Sequence, residues 1–173
     1  MKVYLDPASV KDIIYQEIDK IIELAQKIWR DHYPSIIGEE QVEFMLAKMY
    51  DKASLEKQIQ KGDAFYLAFD ESENRYLGFV SIKNEGESKL FINKFYIDTN
   101  HQRSGIGLLF FDFILREYVP QEIRLQVNRQ NYKAINFYFK AGFKIEKVAD
   151  FDIGDGYFMN DFIMIWESLK NVR

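Results

Sequence analysis

Between Phe95 and Phe110 the chain reads FYIDTNHQRSGIGLLF, an apolar strand end running into a polar turn, a glycine pair and the start of an apolar helix. Within it Gln102, Gly105 and Gly107 form Q-x-x-G-x-G. Glycines at such a turn let successive backbone N–H groups point inward and make an anion-binding concavity. The helix that follows adds its own free N–H groups and the positive end of its dipole. A phosphate-bearing ligand suits that position, although a glycine pair alone also starts an ordinary tight loop. Two better-known phosphate sites fail here. Phe110 occupies the third glycine position of G-x-G-x-x-G, and no G-K-[ST] follows, so neither a dinucleotide fingerprint nor a P-loop is present.

A second stretch lies about 25 residues on. Asn131 to Phe143 reads N-x-x-A-x-x-x-Y-x-x-x-G-F, with Asn131, Ala134, Tyr138, Gly142 and Phe143 at the fixed positions. Placed after Q-x-x-G-x-G and a strand, it resembles the GNAT superfamily of acetyl-CoA-dependent N-acetyltransferases. The likeness spans residues 64–166. The ending from Asp152 to Met164, D-x-G-x-G-Y-x-M-x-D-x-I-M, is similar to that of bacterial polyamine N-acetyltransferases of the spermidine type.

The resemblance implies a fold and a set of site residues. The fold is α/β (α+β in its segregation): a mixed, mostly antiparallel twisted sheet of seven strands or so, whose middle strands splay apart, flanked by helices. Acetyl-CoA is the implied cosubstrate, with no metal. Backbone groups at Phe95, Tyr96 and Ile97 would bond the acetyl and pantetheine carbonyls, and Gln102, Arg103, Ser104, Gly105, Ile106, Gly107 and Leu108 would wrap the diphosphate. Arg103 reads equally well as a solvated surface arginine. Asn131 matches a position that bonds the pantetheine arm, and it also reads as a helix N-cap. Tyr138 is the implied catalytic donor to the leaving thiolate. A phenol can donate a proton while staying protonated at neutral pH, although Phe137, Tyr138 and Phe139 equally form a core-like aromatic run.

The base is where this chain departs from the family. Many members carry a glutamate on the fourth strand, and the matching position here is Asn93. An amide takes no proton at neutral pH, but it can orient a water or an amine. An alkylamine is only about one part in a thousand neutral at pH 7, so its proton must be removed. A water chain or another carboxylate, Glu17 or Asp161, is left for that task. Five acids between Glu146 and Asp161, namely these two with Asp150, Asp152 and Asp155, read with Asp98 as a site for a polycation or as a solvated acidic loop. Trp29, Tyr33, Phe44, Met45 and Met49 fall where the fold forms one wall of the acceptor groove, or in its core.

Composition narrows the field further. The length of 173 residues fits one domain, 1–173, with a sizeable core. A net charge of −4 argues against a nucleic-acid partner. The absence of cysteine rules out a thiolate acyl-enzyme, so transfer is expected to be direct; with only His32 and His101, no histidine-rich metal site is expected. With neither a signal-like apolar N-terminus nor a long apolar run, a cytoplasmic chain with no membrane partner is expected. The first strand is Lys2–Leu5, followed by a turn and helix cap at Asp6 to Ser9, or alternatively Lys11–Tyr15 with the helix starting near Glu17. Helices are expected from Val10, over Glu39–Tyr50 and over Ser54–Lys61. After them come a strand meander at 64–69, 76–83 and 90–97, a helix 107–118, a strand 122–127, a helix 132–141 and closing strands at 143–151 and 157–166. Phe158, Phe162 and Trp166 suit a homodimer as well as a core. The expected activity is acetyl transfer to a small primary amine such as a polyamine. The alternatives are a protein N-terminal or lysine acetyltransferase, or a catalytically idle acyl-CoA-binding module.

Overall fold

The computed structural model describes residues 3–6, 12–101 and 105–168. The proposed cap at Pro7 to Ser9, and Gln102, Arg103 and Ser104 of the glycine turn, lie outside the described residues. Strand β1 (Val3–Asp6) and helix α1 (Asp12–His32) decide between the two readings of the N-terminus: the strand comes first, and Asp12 to Tyr15 is helical. Ile18, Ile21, Ala25, Ile28 and Trp29 are all buried, as the helical spacing requires. Helix α2 (Pro34–Ile37) is a single turn begun by Pro34; α3 (Glu39–Met49) and α4 (Lys52–Gln60) follow. Asp51 caps α4, accepting the Ser54 N–H at 3.1 Å.

Six strands of seven residues or more then build the sheet: β2 (Ala64–Asp70), β3 (Arg75–Gly86), β4 (Lys89–Ile97), β5 (Glu122–Asn128), β6 (Lys144–Gly154) and β7 (Tyr157–Glu167). Helix α5 (Ile106–Tyr118) joins β4 to β5, and α6 (Tyr132–Lys140) joins β5 to β6. With short β1 at one edge the order is β1-β2-β3-β4-β5-β7-β6. Every pairing is antiparallel except β4 with β5. That exception follows from connectivity, because an α-helical crossover is what a parallel neighbour needs.

Each face of the sheet buries one apolar cluster. Alternation along β2 sends Tyr66 and Ala68 toward α5 and α6, where Phe110, Ile114, Ile135 and Tyr138 pack, and sends Phe65 and Leu67 toward α1, α3 and α4. The acidic run Asp152 to Gly156 is the β6–β7 hairpin: Gly154, Asp155 and Gly156 all have positive φ, and Asp152 accepts the Gly154 N–H at 2.9 Å. Among the described residues no helix is long and apolar enough to cross a membrane.

Candidate active site

The parallel pair at the centre holds together only briefly. Cα partners run from Lys89–Glu122 to Ile92–Leu125 and stop there. Beyond that point β4 stays with β3, and β5 stays with β7 through Asn128. The parting begins at a β-bulge: Ile92 faces Ile82 and Lys94 faces Ser81, which leaves Asn93 as the extra residue. One inserted residue flips the side-chain alternation that follows. Leu90 and Ile92 therefore share the α5/α6 face with Phe95 and Ile97, while Tyr96 turns to the α1/α3 face.

Hydrogen-bond parity identifies which backbone groups face the gap. The Asp98 N–H donates to the Leu77 carbonyl at 2.8 Å, so Tyr96 bonds its own partner on β3 and the neighbours point away. Phe95 and Ile97 thus turn their N–H donors and C=O acceptors to the parted side. The Tyr96 backbone groups turn to β3. Its side chain enters the site instead.

Alongside, α5 starts at Gly105 with φ of +88° and no side-chain cap, leaving the first-turn N–H groups unclaimed by a cap. The two motif glycines serve different ends. Gly105 supplies the left-handed turn. Gly107 is buried, and a Cβ there would sit 2.9 Å from the Phe137 ring and 3.3 Å from Ile97 Cδ1. Its missing side chain lets α5 close onto α6 and the end of β4. Ile106 is buried and Leu108 is exposed.

On the other face a cleft of about 120 Å³ opens between α1, α3 and the parted strands. Trp29, Tyr33, Tyr50 and Tyr96 form its aromatic wall, with Trp29 stacked on Tyr33 at 4.4 Å between ring centres. Met45 and Met49 line it too, whereas Phe44 packs on Tyr157 instead. Asn93, Lys94, Gln126, Asn128 and Asp161 supply the polar groups. Burial raises the phenol pKa values of Tyr50 and Tyr96 and pushes that of Tyr33 up to about 12, so all three remain hydrogen-bond donors.

Asn93 is held by its own bulge, its amide donating to Asp63 Oδ2 at 2.8 Å. Next to it, buried Lys94 donates to Gln58 and lies 5.2 Å from the Tyr50 ring centre; burial lowers its pKa to about 8, against the pull of Asp63. Asn131 caps α6 by accepting the Ala134 N–H at 3.3 Å, and it also donates to the Tyr33 hydroxyl at 3.3 Å. Its Oδ1 lies 3.2 Å from His32 Nε2, so that nitrogen carries the proton. Tyr138, 7% exposed, stands edge-on to Phe95 at 6.1 Å. Burial raises its pKa, which keeps the phenol protonated.

Most of the acids noted in the sequence are occupied elsewhere. Asp98 is buried and ion-paired with Lys27 at 2.6 Å. Glu146 pairs with Arg124 at 2.7 Å and Asp150 with Arg129 at 2.6 Å. Glu17 accepts from the Tyr76 hydroxyl. A collective acidic site is therefore not what forms; of these acids, only Asp161 lines the cleft. Lys94, Gln126 and Asn128 were not foreseen as site residues, because the bulge and the β5-β7 adjacency that bring them together leave no local signal. Phe162 and Trp166 pack against the core, with Phe158 half-exposed.

A parallel pair parted beside an uncapped helix N-terminus, with free backbone groups in the gap and a polar cleft beyond, is the architecture of a GNAT-type acetyltransferase. Residues 35–151 match the family model described as acetyltransferase (GNAT) domain, and the chain belongs to that family. It is 29% identical over 164 residues, 90% of its own length and 94% of the relative's, to the spermidine N(1)-acetyltransferase of Thermoplasma acidophilum. The crystal structure of the PaiA N-acetyltransferase from Thermoplasma acidophilum in complex with coenzyme A superposes with a TM-score of 0.76 at 27% identity, covering 97% of this chain and 100% of that one. Ard1 from Thermoplasma volcanium has the same fold, with a TM-score of 0.65 at 20% identity, covering 98% of this chain and 99% of that one.

Proposed function

We propose that this protein moves the acetyl group of acetyl-CoA directly to a primary amine of a small molecule, with polyamines such as spermidine as the first candidates. The observation that carries the reading is the parted β4–β5 pair. Its free Phe95 and Ile97 backbone groups lead from the α5 N-terminus to the polar cleft, a path that suits an extended thioester donor with phosphates at its far end. Gln102 to Ser104 would complete the phosphate grip, and Tyr138 would donate to the departing thiolate. The aromatic wall suits a cationic acceptor, since Trp and Tyr faces attract ammonium groups. The likeness to a spermidine acetyltransferase supports the same acceptor class.

The test is a thiol-release assay with acetyl-CoA against spermidine, spermine, short diamines, aminoglycosides and peptides with free N-termini. Turnover is expected to favour the polyamines and diamines. Turnover of peptides alone would make the acceptor a protein.

A further inference from the structure

We infer that Asp161 is the base that takes the proton of the acceptor amine, so that the task the family assigns to β4 is carried here by β7. The inference rests on the proposed amine acetylation and adds a catalytic group to it.

The geometry excludes the nearer candidates first. Asn93 holds no titratable proton and is committed to Asp63. Asp63 sits behind that amide and does not line the cleft. Asp161 does line it, with only 5% of its surface exposed and no hydrogen bond to its carboxylate from the described residues. A largely buried carboxylate with no hydrogen-bond donor is costly to a fold, and a cationic acceptor entering the cleft would supply one. The fold brings it there because β7 inserts between β5 and β6, pairing Asp161 with Asn128 at the parted end of β5.

The charged neighbours are few. Arg129, after β5, lowers the Asp161 pKa, and Asp150 on β6 raises it; Tyr33 from α1's end, Tyr50 from α3's end and Tyr96 from β4 are neutral, and Lys94 is the cation in the cleft. Burial dominates and brings the carboxyl up to about 6. That value narrows the gap to an alkylamine while leaving the carboxylate ionised at pH 7.

The ammonium gives one proton to the Asp161 carboxylate, and the free amine attacks the thioester carbonyl. A C–N bond forms and the C–S bond breaks, with the electron pair leaving on sulfur. The second nitrogen proton passes to solvent as the amide forms; the Tyr138 phenol protonates the thiolate and recovers a proton from solvent. Asp161 returns its proton to solvent.

The experiment is the pH profile of acetyl transfer to whichever amine the wild type turns over best. The wild-type profile should rise through an acid limb near pH 6. In Asp161→Asn, kcat at pH 7 should fall about a hundredfold, the limb should vanish, and the deficit should shrink toward pH 10 as free amine accumulates. Asp63→Asn should keep the limb. Arg129→Gln should move it upward, which tests the assignment without touching Asp161. Folding gives a further readout. Because the folded pKa lies above the usual carboxylate value, stability falls as pH rises from about 4 to 6. Asp161→Asn should therefore melt higher than wild type above pH 6, whereas loss of a structural contact would lower the melting point. An Asp161→Asn enzyme with unchanged kcat and only a raised amine KM would overturn the inference and make Asp161 an anchor. An acid limb that ignores Arg129→Gln would also overturn it. A wild type that acetylates no amine would instead refute the proposed function.

Discussion

Tyr138→Phe is expected to lower kcat about a hundredfold while leaving the acceptor KM and the affinity for acetyl-CoA close to wild type. The phenol belongs to α6, whose start is fixed by the Asn131 cap and whose end is turned by Gly142 at φ of +96°. Between them Tyr138 is held edge-on against Phe95, Phe137 and Phe143. Removing one oxygen leaves that packing intact, so the fold should survive. What is lost is a donor that burial keeps protonated and that would meet the thiolate only as the C–S bond breaks. Steady-state kinetics with both substrates varied, beside a melting curve, checks this. A variant with full kcat would return Tyr138 to the core-aromatic role that its neighbours also suggest.

Gly78→Ala is expected to damage stability and donor binding together. A Cβ on Gly78 would lie 2.4 Å from the Tyr96 carbonyl oxygen and 3.1 Å from Ile97 Cα, both backbone atoms that cannot swing away. The end of β4 would have to move from β3, at the residues whose neighbours face the parted gap. Forced repacking of this kind costs about 2 kcal/mol, which for a chain of this size lowers Tm by about 4–8 °C. Acetyl-CoA affinity should fall by about tenfold as the Phe95 and Ile97 groups lose their alignment. Calorimetric melting and titration with acetyl-CoA check both effects, and unchanged values in both would mean that β4 has slack at this point.

Much of the fold was legible because its signals are local. Period-two apolar runs placed β2 to β7 within three residues of their observed ends. Asn131 was readable as a helix cap for the same reason. The site was less legible, since it depends on pairings between distant segments. The bulge at Asn93 carries no glycine or proline to announce it, yet it decides that Tyr96 and Lys94 face the cleft while Phe95 does not. Nor does spacing along the chain separate Asp161 from Asp150 or Glu146. Arg129 and Arg124 take the latter two out of play through side chains reaching across the sheet. Gly107 showed the converse: its place in the motif was plain, but its contact with Phe137 appears only when α5 and α6 are packed.

The most direct test of the central claim follows an acetyl group. The protein would be mixed with acetyl-CoA labelled in the acetyl carbon, first alone and then with spermidine and a short diamine, and the label traced by mass spectrometry. Direct transfer predicts that the label appears on the amine nitrogen, one equivalent for each thiol released, and never on the protein during turnover. Label that stays in acetyl-CoA, bound but unspent against every amine, would contradict the account and leave an acyl-CoA-binding module in its place.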